Sequence, residues 1–306
     1  MQWYPGHMAK AKGLIYNNIK LVDLVLEVID ARIPAASSNP EIIKIAGEKP
    51  RLLILNKADL ADPLVTDKWQ KWYKEKGEYA LALNAVSGRG IREVIAISRQ
   101  LVQPTMAALE LKGRKKRPAR LMVVGIPNVG KSSLINRLAG RRRAATGAKP
   151  GITRGKQWIS LAGELELLDM PGVLWPSRRD ACLGLKLAAT GALPLESIPV
   201  EEVAHWLVTL LLERAPQQLR KQYGLPTLPP DPYQILNYIG KKRGMLLPGG
   251  VSDLNRAAGL LLREFQNGQL GRVTLELPAE ENNNEVCGHD PGGIKDLAPG
   301  TIFAGD

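Results

Sequence analysis

Residues 125–132 have the Gly-x4-Gly-Lys-Ser spacing of a phosphate-binding loop. This segment follows an apolar run, 121–124, and precedes a helical pattern that starts at Ser133. In that context the glycines let backbone N–H groups close around a β-phosphate, and the helix N-terminus adds positive potential. The segment therefore predicts binding of a nucleoside triphosphate.

Individual residues of this loop suit different parts of a nucleotide. Lys131 would bridge the β- and γ-phosphates, which assigns it to catalysis as well as binding, and the Ser132 hydroxyl would ligate Mg²⁺. The nucleotide-binding residues predicted along the loop are Pro127, Asn128, Val129, Gly130, Lys131, Ser132 and Ser133.

A second motif, Asn-Lys-x-Asp at residues 56–59, follows another apolar run. The Asp59 carboxylate can accept hydrogen bonds from guanine N1–H and the 2-amino group, which adenine cannot supply. Asn56 can contact the purine edge and fix the loop, while the Lys57 stem can lie over the base. Because a site built for these donors is left with unpaired groups by any other base, the motif predicts guanine specificity and disfavours an ATP-using enzyme.

Alternating strand and helix patterns fill the first hundred residues, which is typical of a parallel α/β sheet. Two further strands are predicted at 157–161 and 164–168, and the second ends in an Asp-x-x-Gly sequence, 169–172. The predicted strands of the first part are 24–30, 51–55 and 79–83, and the predicted helices are 9–20, 65–76 and 91–102. The expected fold is a doubly wound, mostly parallel P-loop GTPase sheet.

The base-reading motif lies upstream of the phosphate loop, the reverse of the order in ordinary GTPases. A sheet requires strand positions rather than sequence order, so a circularly permuted GTPase domain is predicted over residues 1–177. Residues 103–120, rich in Lys and Arg, would be an exposed basic linker that joins the original chain ends, which often lie close together. A solvated connector without a partner explains this charge equally well.

After residue 178 the pattern becomes helical, and 178–277 are predicted to form an all-α domain. One apolar stripe runs from Val203 to Leu211, Asp231 and Pro232 start a second helix, and a third stripe ends before Asn267. Residues 278–306 have little to bury and are expected to be disordered. Because the helical domain would follow the Asp-x-x-Gly loop directly, loss of the γ-phosphate should reposition it.

The chain has 42 Lys and Arg against 30 Asp and Glu, a formal charge of +12. Such a charge suggests a polyanionic partner, nucleic acid more often than membrane, although a basic solvated surface is an alternative. No apolar signal core or bilayer-spanning run occurs in the sequence, which predicts a soluble cytoplasmic protein. The hypothetical RNA contacts are Arg141–Arg143, Arg220, Lys221, Lys241–Arg243, Arg256 and Arg263.

The reversed motif order, residues 5–10 (Pro-Gly-His-Met-Ala-Lys), residues 30–34 (Asp-Ala-Arg-Ile-Pro) and the phosphate loop resemble the ribosome biogenesis GTPase A family (RbgA/YlqF type). The similarity runs from about residue 2 to 277. It implies a GTPase that binds GTP and GDP, acts in late assembly of the large ribosomal subunit on its rRNA, and is stimulated by the ribosomal particle. A monomer is expected.

GTPases of this kind suggest roles for residues outside the two main motifs. Thr153 sits where the switch threonine ligates Mg²⁺ and senses the γ-phosphate, Asp169 would hold Mg²⁺ through a water, and the Gly172 N–H would face the γ-phosphate. Val173 occupies the position of the usual water-orienting glutamine. Either hydrolysis is very slow, or another group supplies this function.

By resemblance, that group is His7 on the N-terminal segment; a flexible terminus or an RNA contact is the alternative role for this residue. The family also implies that Asn128 coordinates K⁺ near the β–γ bridge. The loop that contacts guanine O6 commonly reads Ser-Ala and here reads Asn84-Ala85, so the Asn84 side chain must replace the serine's local support. A competing hypothesis, suggested by Val173, is an RNA-binding assembly protein in which GTP is only a structural ligand.

Overall fold

A computed structural model describes residues 13–140, 157–161, 165–169 and 181–278. Six strands form one sheet in the order β3-β2-β1-β4-β6-β5. All neighbours are parallel except β5, which runs antiparallel to β6. The strands are β1 (Leu24–Asp30), β2 (Arg51–Asn56), β3 (Tyr79–Ala82), β4 (Ala119–Val124), β5 (Gln157–Leu161) and β6 (Leu165–Asp169).

Helices cover both faces of this sheet, which confirms the doubly wound architecture. Because side chains alternate along a strand, Leu24 and Leu26 of β1 face one helical layer while Val25 and Ile29 face the other. The helices of this part are α1 (described over residues 13–19), α2 (Pro34–Ser37), α3 (Pro40–Ala46), α4 (Pro63–Glu75), α5 (Ile91–Leu111) and α6 (Lys131–Leu138). Helices α5 and α6 lie on one face, and α1, α3 and α4 lie on the other.

The predicted start of the basic linker at residue 103 is wrong, because α5 continues through Pro104 to Leu111. A proline inside a helix costs about 3 kcal/mol, but the residues after it are mostly good helix formers, and Met106 packs against the core. The segment without regular structure is therefore 112–118. Its last basic residue is half-buried and paired: the Arg117 guanidinium makes two hydrogen bonds of 2.8 and 2.9 Å to the Asp23 carboxylate.

Between residues 181 and 266 the regular secondary structure is helical, as predicted. The helices here are α7 (Ala181–Ala189), α8 (Val200–Arg214), α9 (Pro216–Tyr223), α10 (Pro232–Lys242) and α11 (Leu254–Gln266). We call them the C-terminal helices. Helix α8 buries the apolar stripe from Val203 to Leu211. Asp231 begins α10 by accepting a hydrogen bond from the Tyr233 N–H, as predicted. The predicted disordered tail lies outside the described residues, apart from Pro278.

After α11 the chain turns back across the sheet-bearing part of the molecule. Residues 268–276, which we call the C-terminal strap, include Val273, Leu275 and Glu276, each less than 5% exposed. The strap packs against α2 and α4, and its Glu276 carbonyl accepts a hydrogen bond from the buried Trp69 indole N–H at 3.2 Å. The helical part and the sheet consequently share a continuous core.

In the part of the chain that the structure describes, no helix combines the length and the apolar character needed to cross a bilayer. Within the same residues, no cluster of His, Cys, Asp and Glu side chains has the composition of a metal site.

Candidate functional site

The two nucleotide motifs meet at one edge of the sheet. The phosphate loop follows β4 and the Asn-Lys-x-Asp motif begins at the end of β2, with β1 between these two strands. The carboxyl ends of parallel strands share an edge, and ligands of open α/β sheets bind outside that edge. Strand position has therefore brought together two motifs that lie about 70 residues apart in sequence.

Two glycines of the phosphate loop are required by close backbone approach. Gly125 has φ +148°, and a Cβ atom there would lie 2.3 Å from the Val28 carbonyl oxygen. Gly130, which begins α6, has φ +97°, and its Cβ would lie 2.2 Å from Asn56 Nδ2. The loop thus passes so close to β1 and to the base motif that side chains are excluded.

Asn56 joins three loops through one buried side chain. Its Nδ2 donates to the Val129 carbonyl of the phosphate loop at 2.7 Å, and its Oδ1 accepts from the Ala85 N–H at 3.0 Å. These two hydrogen bonds would perform the loop-fixing role predicted for Asn56. The Ala85 N–H, expected to reach guanine O6, is directed to Asn56 in this structure.

The Asn84 side chain stabilises its own loop. Its Oδ1 accepts hydrogen bonds from the Val86 and Ser87 N–H groups at 2.8 and 2.9 Å, an arrangement in which a short polar side chain closes a turn. Arg137 of α6 donates to the carbonyls of Ala85 and Val86 from the other side. This loop is consequently tied to the helix that begins at the phosphate loop.

Lys57, the second residue of the Asn-Lys-x-Asp motif, forms an ion pair with Asp30. Its backbone is left-handed (φ +59°), and its Nζ lies 2.9 Å from Asp30 Oδ2 at the end of β1. Burial alone would raise the pKa of Asp30, but Arg32 and Lys57 outweigh it and hold the pKa well below its usual range. Burial lowers the pKa of Lys57, and the Asp30 carboxylate opposes that shift. Asp59, the predicted guanine reader, is exposed at the same edge.

Lys131 is buried and folds back over the phosphate loop. Its Nζ donates to the Ile126 carbonyl at 2.7 Å, while Ser132 and Ser133 are half-buried at the start of α6. Asn128 also has a left-handed backbone (φ +60°), and its Nδ2 donates to the Gly191 carbonyl at 2.7 Å. The loop is therefore linked to the segment that follows α7.

Several predicted site residues cannot be placed at this edge. His7, Thr153 and Gly172 lie outside the described residues. Asp169 is the last residue of β6, and its backbone pairs in register with Val123 of β4, two residues before the phosphate loop starts. The strand position of Asp169 thus brings it to the same edge, although its side chain is not described.

Sequence reasoning assigned no role to three residues that support this site. Asp30 and Arg32 stood out only as part of a family motif. Thr274, whose hydroxyl accepts a hydrogen bond from the Asp62 N–H at 3.0 Å, did not stand out at all. The sequence signal for Asp30 and Arg32 was a carboxylate at the end of a buried strand with an arginine two residues later. No sequence signal marks Thr274, because its contact depends on the return of the chain after α11.

Basic residues of the C-terminal helices gather where α9, α10 and α11 approach one another. Lys242 Nζ donates to the Tyr223 carbonyl at 2.5 Å, and Arg243 forms a 3.3 Å ion pair with Glu264. The exposed basic residues on these helices and at their ends are Arg220, Lys221, Lys241, Lys242, Arg243, Arg256 and Arg263. Arg141–Arg143 lie outside the described residues.

Comparisons with known proteins point to one family. A family model described as 50S ribosome-binding GTPase matches residues 120–220. Ribosome biogenesis GTPase A from Priestia megaterium is 46% identical over 281 residues, which cover 92% of this chain and 98% of that protein. The protein of the same name from Thermotoga maritima is 35% identical over 92% of this chain and 95% of its own length.

Solved structures lead to the same family. The crystal structure of GNP-bound YlqF from T. maritima has a TM-score of 0.61 at 31% identity, covering 88% of this chain and 99% of that one. A GDP-bound YlqF structure gives a TM-score of 0.61 at 29% identity. With its phosphate and guanine motifs joined at one sheet edge, this chain belongs to the ribosome biogenesis GTPase A family and is a GTP-dependent ribosome assembly factor.

Proposed function

We propose that this protein binds GTP and GDP at the shared sheet edge and hydrolyses GTP while it acts on the rRNA of the large ribosomal subunit. The main support is Asn56, which connects the phosphate loop, the guanine motif and the Asn84-Ala85 loop at hydrogen-bond distance. A junction of this kind sets the spacing between phosphate and base recognition, as a guanine nucleotide requires. We propose that it works as a cytoplasmic monomer with its motifs in circularly permuted order.

Each site residue has a role in this proposal. Asp59 reads guanine, with Lys57 beside the base, and the Ala85 N–H would turn from Asn56 Oδ1 toward O6. Backbone groups of residues 127–133 and the Gly172 N–H surround the phosphates. Lys131 bridges the β- and γ-phosphates, and binding would draw its Nζ away from the Ile126 carbonyl that it contacts at 2.7 Å.

Oxygen donors in the site suit a hard cation. The hydroxyls of Ser132 and Thr153 and the Asp169 carboxylate would hold Mg²⁺, which neutralises charge on the phosphates. Asn128 would turn from the Gly191 carbonyl to ligate K⁺, a source of positive charge near the β–γ bridge. His7 would orient the attacking water, because Val173 cannot do so.

The C-terminal part, 178–277, is proposed as the ribosome-binding domain. The support is its cluster of exposed basic residues at the ends of α9 and α10, since cations bind the phosphate backbone of RNA. A second candidate, an RNA-binding protein with GTP as a structural ligand, is favoured only by Val173.

GTP hydrolysis in K⁺ and Na⁺ buffers, with and without large ribosomal subunits, tests this function. We expect slow turnover by the protein alone, strong stimulation by subunits and a larger rate in K⁺. Bound GTP that is never hydrolysed under any of these conditions would favour the structural-ligand candidate instead.

A further inference from the structure

Arg32 is a fully buried cation whose partners come from distant parts of the chain. Its Nε and NH2 bind the two Asp30 oxygens at 3.0 and 2.8 Å. Its NH2 also donates to the Thr190 carbonyl at 3.2 Å, and its NH1 donates to the Phe265 carbonyl at 3.5 Å. The guanidinium carbon lies 5.3 Å from the centre of the Phe265 ring. Half of this environment is therefore supplied by the C-terminal helices.

Asp30 connects Arg32 to Lys57 of the guanine motif. Its Oδ2 binds Arg32 and also Lys57 Nζ at 2.9 Å, and its carboxylate is 2% exposed. A buried carboxylate between two cations has little freedom to move, because each departure would leave a charge unpaired. The position of Lys57 thus depends on Arg32, and the position of Arg32 depends on carbonyls at residues 190 and 265.

The C-terminal strap binds the residues that directly follow the guanine motif. The Val273 N–H donates to the Leu60 carbonyl at 3.0 Å, and the Asp62 N–H donates to the Thr274 hydroxyl at 3.0 Å. The strap is fixed in turn by Glu276, whose carboxylate accepts from the N–H groups of Ala35 and Ala36 and lies 3.2 Å from Lys186 Nζ. Leu60 and Asp62 are therefore held directly by the strap, whereas Lys57 is connected to residues 190 and 265 only through Asp30 and Arg32.

We propose that Arg32 is a positioning residue for guanine recognition, which makes guanine affinity depend on docking of the C-terminal helices. The inference rests on the proposed function, in which Lys57 and Asp59 read the base. If the helices leave the sheet, Arg32 loses two carbonyls and an aromatic ring, Asp30 loosens, and Lys57 is released. By linkage, a bound guanine nucleotide must favour the docked state to the same extent.

The first test compares the affinities of GDP and ADP in wild-type protein and in Arg32→Lys. Lysine keeps the charge but cannot bind the carboxylate and both carbonyls with one planar group. We expect GDP to bind about tenfold more weakly, while ADP binding is unchanged, because adenine does not use this motif. The guanine-to-adenine preference therefore falls, which general destabilisation of the fold would not produce.

Arg51→Lys is the matched control. Arg51 is also buried, pairs with Glu27 and Glu78, and opens β2, about 16 Å from Asn56 at 3.3 Å per residue. We expect this variant to lose stability and to keep the wild-type preference for GDP. Thr274→Val supplies a milder change in the strap and should weaken GDP binding about threefold.

Hydrogen exchange provides a second readout. In wild-type protein, GDP should slow exchange in residues 57–62 and also in residues 265–276. In Arg32→Lys, protection by GDP should persist near the base and disappear from 265–276. If Arg32→Lys keeps the wild-type GDP preference, or keeps protection at 265–276, the coupling is refuted. If wild-type protein does not prefer GDP over ADP, the proposed guanine recognition itself fails.

Discussion

Asn56→Ala is the most direct test of the junction at the centre of the site. The change removes the Asn56 amide and leaves its two partners, the Val129 carbonyl and the Ala85 N–H, unpaired in residues that are 0% and 3% exposed. Each buried, unpaired backbone group costs roughly 1–3 kcal/mol, so the free energy of unfolding should fall by about 2–6 kcal/mol. GDP affinity should also fall, by about tenfold or more, because the two loops lose their fixed spacing.

Urea unfolding measures the first effect, and calorimetric GDP titration at a temperature where the variant is folded measures the second. Asn39→Ala is a suitable control, because Asn39 is equally buried and its Oδ1 accepts from the Glu41 N–H at the start of α3, away from the site. That cap should contribute about 1 kcal/mol. If Asn56→Ala changes stability and GDP affinity no more than Asn39→Ala does, the reasoning about the junction is wrong.

Two further predictions concern backbone geometry and pH. Gly130→Ala should abolish detectable GDP binding in a titration, because its Cβ would lie 2.2 Å from Asn56 Nδ2. Gly113→Ala is the control and should bind GDP normally, because Gly113 has a similar left-handed backbone with open space around it. Normal GDP binding by Gly130→Ala would contradict the close approach of the two loops. The pKa of Asp30 is lower in the folded protein than in the unfolded chain, where it is 3.8. The Asp30 carboxylate therefore makes its full contribution to stability at pH values above 3.8, and this contribution is lost as the pH falls below that value. In urea unfolding, the stability gap between wild-type protein and Asp30→Asn should therefore narrow between pH 6 and pH 3, and a constant gap would show that the ion pairs do not stabilise the fold.

The strands were predictable because their signals are local. Residues 24–30 and 51–56 form unbroken, largely apolar runs, and both are buried along their whole length. Short helices such as α2 and α9 were missed because four to eight residues do not establish a helical period. The end of α5 was missed for another reason: a proline is a reliable local breaker only where packing does not compensate for it, and Met106 supplies such packing.

For the site, motif spacing identified the phosphate loop and the guanine motif from the sequence alone. Both depend on side-chain and backbone chemistry that is encoded within eight residues or fewer. The supporting residues were not evident in this way. The contacts of Arg32 with residues 190 and 265 join positions more than 150 residues apart.

The sequence by itself determined which chemical groups this protein carries: a phosphate loop, the Asp59 carboxylate that we propose reads guanine, and a basic C-terminal part. These properties reside in residue type and short spacing, which survive a change in the order of the motifs. Only the tertiary structure decided how the parts act on one another. Strand order brought Asn56 to the phosphate loop, and the return of the strap brought Thr274 to Asp62, three residues after the guanine motif. Such contacts depend on where distant segments pack, and that is fixed by the shared core as a whole.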